Sequence, residues 1–399
     1  MNVKWWVVMH NRKESEMNTI ETNLIQERIK KIMLGEPTIH GQMAMFPLLD
    51  EEESAADYLT LDDSISNGCA RVTEVDEGGS VPELTFKNSG EKRVFLMEGE
   101  ELLGAKQSRT LNLSILAPAD KEIIIPVTCV ESGRWSYNSP RFSTSDRAHF
   151  SRGRREKMAS VSDSMRMDAS PAADQREVWD QISEKGRRMK SHSPTSAMGD
   201  IFEDHREHVS DYVKAFTAVE NQAGMLVMVA DDIVGLDLFD STETLKKLMP
   251  KLIRSFALDA IEECSHYQKA TGTEGMTSFN REEEIRRRTK PYQPKIADAE
   301  DLLKKSAAAK SSTHPGVGDG DNLRLQGEEV IGGALTLDNQ VIHLSVFRND
   351  DLPGSKNHRR GRRSRVRRAS HRRSHGRTRD LSPEGFLEFL RRNSRGDEE

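Results

Sequence analysis

Between residues 55 and 137 apolar and polar residues exchange one by one, and a period of two confines a chain to half-buried strands. "YLTLDDSI", "ARVTEVDEGG" and "RTLNLSIL" all alternate. In the last, Leu111, Leu113 and Ile115 share one face, and Asn112 and Ser114 the other. "VPELTFKNSGEKRVFLMEGEE" reads as strand, Asn-Ser-Gly turn, strand. "EIIIPVTCVE" adds a strand whose Pro126 has no N–H for a ladder, which predicts an edge or a bulge there. The block is predominantly β.

Helical spacing surrounds it. "NLIQERIKKIMLG" puts Leu24, Ile25, Ile29, Ile32 and Met33 on one side of a helix stopped by Gly35. "QREVWDQISEKGRRM" and "DIFEDHREHVSDYVKAFTAVE" predict further helices. The best-supported one follows Asp240, which with Glu243 resembles a capping box. Leu245, Leu248, Met249, Leu252, Ile253, Phe256 and Ala260 form its apolar stripe, and Pro250 predicts a kink or a split. "AGMLVMVADDIVGLDLFD" reads as two strands around Asp231-Asp232, and "EEVIGGALTLDNQVIHLSVF" as a hairpin turning at Asp338-Asn339. Polar stretches near 138–175 and 268–321 read as excursions, the second ending in a flexible linker, "KKSAAAKSSTHPGVGDGD".

The expected fold is α+β: an antiparallel β-rich half plus a helical half, the C-terminal hairpin returning to the first sheet. It spans one domain, 17–348, between an N-terminal extension, 1–16, and an arginine-rich tail, 349–399, that should be disordered, with a short helix at "LSPEGFLEFLRR".

Charge separates tail from body. The net charge is −6, yet Lys356–Arg379 holds twelve Lys/Arg and no acid. Without them 47 basic residues face 65 acids, about −18 for the remainder. Twelve cations in that span suit nucleic-acid phosphates, though no aromatic is interleaved for single-strand stacking. A non-selected extension explains the abrupt composition shift equally well. Hydrophobic content is 35%, below the roughly 45–50% of globular chains, a reference that also counts glycine. Three scattered cysteines match no zinc spacing, and the longest apolar run, "MLVMVA", is too short for a bilayer. The chain reads as a cytoplasmic protein without a membrane partner.

"EGEELLGAKQSRTLN", residues 98–112 with Phe95–Met97 before it, gathers acids, cations and amides around Gly104. A glycine turn lets N–H groups approach a ligand, and Lys106 and Arg109 flank it as phosphate-holding cations. "GRW" supplies Arg134 and Trp135, an indole able to stack on a base. Gln107 and Asn112 are polar guides. Glu98 and Glu100, two apart at a strand end, point to one face, and Glu131 ends another strand. Such carboxylates suit ribose hydroxyls, a divalent metal or acid/base catalysis alike, so cofactor and metal stay open.

The segments "EGEELLGAKQSRTLN" and "IPVTCVESGRW", with weaker agreement at "VWDQI", "IVGLDLFD", "LIRSFALDA" and "VIHLSVF", resemble the first type of the ARG (ADP-ribosylglycohydrolase) and rhodanese-phosphatase-superfamily-associated protein domain over roughly residues 20–348. Where that family reads Lys-Gln-Asn-Arg, this chain has Ser108. The resemblance implies a setting of ADP-ribose or nucleotide processing, a context rather than a reaction.

Two functions follow. In one, the domain binds or processes an ADP-ribose-like or nucleotide ligand. Lys106, Arg109 and Arg134 hold phosphates, Gln107, Asn112 and Trp135 orient it, and Glu98, Glu100 and Glu131 act as acid, base or metal ligand. In the other, the same charges form a structural ion-pair network in a non-catalytic interaction module. Cys129 reads as a packed thiol and His343 as a structural histidine. His205 and His208 read as a solvated face.

Overall fold

The computed structural model describes residues 24–52, 56–230, 232–271 and 294–349. The extension at 1–16, Asp231, most of the excursion at 268–293 and the basic tail beyond Asn349 lie outside the described residues. The first elements are α1 (24–30), β1 (Met33–Leu34), β2 (Thr38–His40), β3 (Met43–Leu49), β4 (Tyr58–Thr60) and α2 (Leu61–Ser66). Then come β5 (Ala70–Thr73), β6 (Glu83–Asn88), β7 (Arg93–Leu96), β8 (Glu100–Gly104), β9 (Arg109–Leu111), β10 (Ile115–Ala117), β11 (Lys121–Cys129) and β12 (Phe142–Ala148). The middle holds α3 (Ser151–Asp168), α4 (Gln175–Met189), α5 (Met198–Asp204), α6 (Arg206–Ala215), β13 (Gln222–Val229), β14 (Asp232–Phe239) and α7 (Thr242–Thr271). Last are α8 (Ile296–Ala307), β15 (Lys310–Pro315), β16 (Asp321–Gln326), β17 (Val330–Leu337) and β18 (Gln340–Arg348).

The fold is α+β, with strands antiparallel except for the β4–β7 pair. The alternating block closes into a six-stranded barrel, β11-β6-β5-β12-β8-β9, beside a small sheet, β10-β7-β4. Pro126 sits where β11 leaves β6 and takes β9 as partner, the change that closes the barrel. "RTLNLSIL" is not one strand: it breaks between β9 and β10, which belong to different sheets. Its alternation still works, because Leu111, Leu113 and Ile115 all enter one barrel core with Phe86, Leu102 and Val127.

The second body is a nine-stranded sheet, β1-β3-β13-β14-β18-β17-β16-β15, with β2 paired to β3. Both faces are covered, so β13 is buried throughout. Met225 and Val227 pack toward α7, and Leu226 and Met228 toward α1 and α8. The hairpin β17–β18 turns at Asp338-Asn339, both with positive φ, and joins β3 through β14 and β13.

Several expectations give way. The excursion at 138–175 carries β12 and α3, and "KKSAAAKSSTHPG" carries the end of α8 and β15. Both are polar because each presents one face to water and few apolar residues to the core. The helix α7 runs through Pro250 without a break, and Ser241, not Asp240, caps it by accepting the Thr244 N–H at 3.4 Å. Asp240 instead accepts the Tyr58 hydroxyl.

Candidate functional site

The two motif stretches do meet. Arg109 stands opposite Cys129 across β9 and β11, and the Val130 N–H donates to the Ser108 carbonyl at 3.0 Å. Gly104 does not open toward a guest. With φ of 124°, its missing Cβ would lie 2.8 Å from the Arg141 carbonyl and 2.7 Å from Ser139 Oγ, so the glycine lets β8 and β12 approach.

The charges there are answered within the chain. Arg134 grips Glu131 with two hydrogen bonds, 2.6 and 2.8 Å, while Ser108 and Thr195 donate to the same carboxylate. Burial alone would raise the Glu131 carboxyl, but these donors together hold it below its ordinary value. Lys106 donates to the Glu77 and Gly78 carbonyls and lies 5.3 Å from the Trp135 and 5.0 Å from the Tyr137 ring centres. Arg109 is fully buried. Its Nη1 donates to Gln107 Oε1 at 3.2 Å and its carbon lies 5.6 Å from Trp135, but its Nε and Nη2 have no partner. Asn112 accepts the Thr128 hydroxyl at 2.6 Å and donates to the Pro171 carbonyl. Trp135 is half-buried, packed with Cys129 and Val81. Burial pushes the Cys129 thiol up to about 11, the behaviour of a packed thiol.

The three acids of Glu98–Glu101 diverge. Gly99, at φ of 86°, reverses the chain between Glu98 and Glu100, so the expected common face is absent. Glu100 accepts Lys251 of α7 at 2.7 Å, and Lys251 also reaches Asp62. Glu101 accepts Arg147 at 2.8 Å, which also reaches Glu203 of α5. Burial raises both carboxyls even against these cations. Each acid ties the barrel to a different element.

Glu98 behaves otherwise. Its Oε2 is 3.9 Å from Arg154 of α3, and neither of its oxygens has a hydrogen-bond partner although the residue is 2% exposed. It faces a cavity of about 10 Å³, the lower limit for one water, lined also by Asn322, Arg324, Gly333, His343 and Ser345. The far wall includes one row across the large sheet, Arg324–Gly333–Ser345 on β16, β17 and β18, which continues in direct register to Asp237 on β14. Asp237 takes both Arg154 nitrogens, at 2.6 and 3.0 Å. Burial would raise its carboxyl, yet Arg154 and His343 hold it well below the usual range. His343 bonds Ser114 through Nδ1 at 2.8 Å, and its Nε2 lies 3.3 Å from Asp237 but off the line of a hydrogen bond. Lys157 donates to the Leu111 carbonyl and to Thr110, and burial lowers its ammonium to about 8.

Sequence reading missed Arg154, Lys157, Asp237, Asn322 and Arg324. One signal was present: Asp237 stands between Leu236 and Leu238, and Asn322 and Arg324 alternate with Leu323 and Leu325, polar groups at core-facing spacing in strands covered on both sides. Among the described residues no group of three or more His, Cys, Asp and Glu is arranged to hold a metal; His205 Nε2 contacts the Met189 carbonyl at 3.2 Å.

Neither curated proteins nor solved structures give a match to this chain. A family model covers residues 31–347, the barrel, the small sheet and the large sheet together. The chain therefore belongs to the family of the ARG and Rhodanese-Phosphatase-superfamily-associated Protein domain.

Proposed function

We propose that residues 98–135 are the internal ion-pair frame of a non-catalytic interaction module, which meets its partners through other surfaces. The carrying observation is the fate of the cations: Arg134 is spent on Glu131, and Lys106 on two carbonyls beneath Trp135 and Tyr137. A phosphate would have to break those contacts, each charge-assisted and half or more out of water, before forming its own. Calorimetry of the full chain with ADP-ribose, NAD and the adenine nucleotides tests this. Heat is expected from none of them. Binding tighter than about 1 mM that Arg109→Ala abolishes overturns the reading.

One observation favours the rival, a site for an ADP-ribose-like or nucleotide ligand. Arg109 Nε and Nη2 and Gln107 Nε2 are buried donors without partners, the kind of group a bound oxyanion satisfies. The same titrations decide between them. The working compartment we propose is the cytoplasm: Cys69 and Cys129 form no disulfide, and among the described residues no helix is long and apolar enough to cross a membrane. The twelve cations of 356–379 would add nucleic-acid affinity, read as binding that falls steeply with salt and disappears when the tail is deleted.

A further inference from the structure

The barrel, α3 and the large sheet enclose more positive than negative charge. Arg154, Lys157 and Arg324 are at most 6% exposed, as are Glu98 and Asp237, so three cations face two carboxylates. A protonated His343 would only widen the imbalance. Asp237 is committed to Arg154, and Glu98 sits among all three cations without a hydrogen bond to any. Buried charge is costly unless it is paired.

Arg324 is where the pairing fails. Among the described residues its one side-chain hydrogen bond is Nη2 to Asn322 Oδ1 at 3.5 Å, and its Nε and Nη1 have no hydrogen-bond partner. Burial lowers its guanidinium to about 10, partly offset by Glu98. Asn322, two residues away on the same strand face, has an unpartnered Nδ2. Both side chains line the cavity beside Glu98. Gly333 leaves the guanidinium room over β17: a Cβ there would lie 2.9–3.0 Å from it, so any other residue would push Arg324 aside.

We propose that this cavity is a binding site for a small monoanion of about the size of water or chloride, held by Arg324 Nε and Nη1 and Asn322 Nδ2. It would neutralise the excess charge and lock α3 and the barrel turn at Glu98 onto the sheet. The groups that hold the anion, Arg324 and Asn322, lie outside the frame at 98–135 and share only the Glu98 and Ser114 wall with it, so the site stands whether or not a nucleotide binds at Arg109.

Thermal unfolding of the full chain at constant ionic strength tests the proposal, with gluconate, too bulky for the cavity, replaced stepwise by chloride or bromide. The wild type should show a saturating rise in midpoint of about 2–4 °C with the small anions. Arg324→Met and Asn322→Leu should each lose that increment whatever their own starting midpoint. Should Arg324→Met not fold, Asn322→Leu carries the comparison. A crystal soaked in bromide should show anomalous density against Arg324 and Asn322. An equal midpoint in all anions, an increment retained in the folded variants, or a water bridging Glu98 and Arg324 in that crystal overturns it.

Discussion

Removing the Asp237 carboxylate should be the most damaging single-charge change in this molecule. Asp237→Asn keeps the shape but takes from Arg154 the acceptor it holds at 2.6 and 3.0 Å, with both side chains at 0% exposure. Glu98, 3.9 Å away, is the remaining acid, and the carboxylate 3.3 Å from His343 Nε2 is lost too. Stranding one partner of a buried pair costs about 3–5 kcal/mol, which for a domain of this size lowers the midpoint by about 5–8 °C. Replacing both partners with apolar groups, Arg154→Met with Asp237→Leu, removes the stranded charge and should recover at least roughly half of that loss. Urea unfolding of wild type, single variants and double variant measures both quantities.

The pH dependence has a fixed sign. The folded carboxyl lies below its unfolded value of about 3.9, so its stabilisation is complete above that value and is lost as pH falls further. The gap between wild type and Asp237→Asn should be flat from pH 5 to 8 and close below about 4. A single variant within about 1 kcal/mol of wild type, or a double variant no better than the single, refutes the reasoning.

Further outcomes follow from the same geometry. Gly104→Ala forces a Cβ against Arg141 and Ser139 at a φ of 124° and should cost about 1–3 kcal/mol in chemical denaturation. Glu131→Gln breaks the two-fold grip of Arg134 and should cost about 1–3 kcal/mol, with little further loss when Arg134→Met is added. In native protein at pH 8 Cys129 should stay silent toward a disulfide reagent and react only after unfolding, because burial lifts that thiol to about 11. Burial, with Lys157 and Arg154 nearby, keeps His149 neutral well below its usual range. The unfolded chain alone takes up that proton, so stability should fall by up to about 1.4 kcal/mol per pH unit below about 6.5, and His149→Phe should flatten that slope.

Local pattern determined much of this molecule. Period-two alternation marked the barrel strands other than β12, the capped stripe of Leu245 to Ala260 marked α7, and Asp338-Asn339 marked the last hairpin, because each signal lies within one element and its immediate neighbours. The motif at 98–112 also declared its density of charge, but its meeting with 129–135 was not legible, because β10 lies between β9 and β11 in the chain and pairs with β7 instead. What each charge does was not legible. Gly99 turns Glu98 away from Glu100, and their partners arrive from Arg154 and Lys251, more than fifty residues downstream. Only the stacking of barrel, α3 and large sheet decides which cation meets which acid, since burial and Coulomb energy depend on distances between elements, and no spacing within a strand encodes those. The same stacking leaves Arg324 and Asn322 facing Glu98 across a cavity, a juxtaposition assembled from positions more than two hundred residues apart.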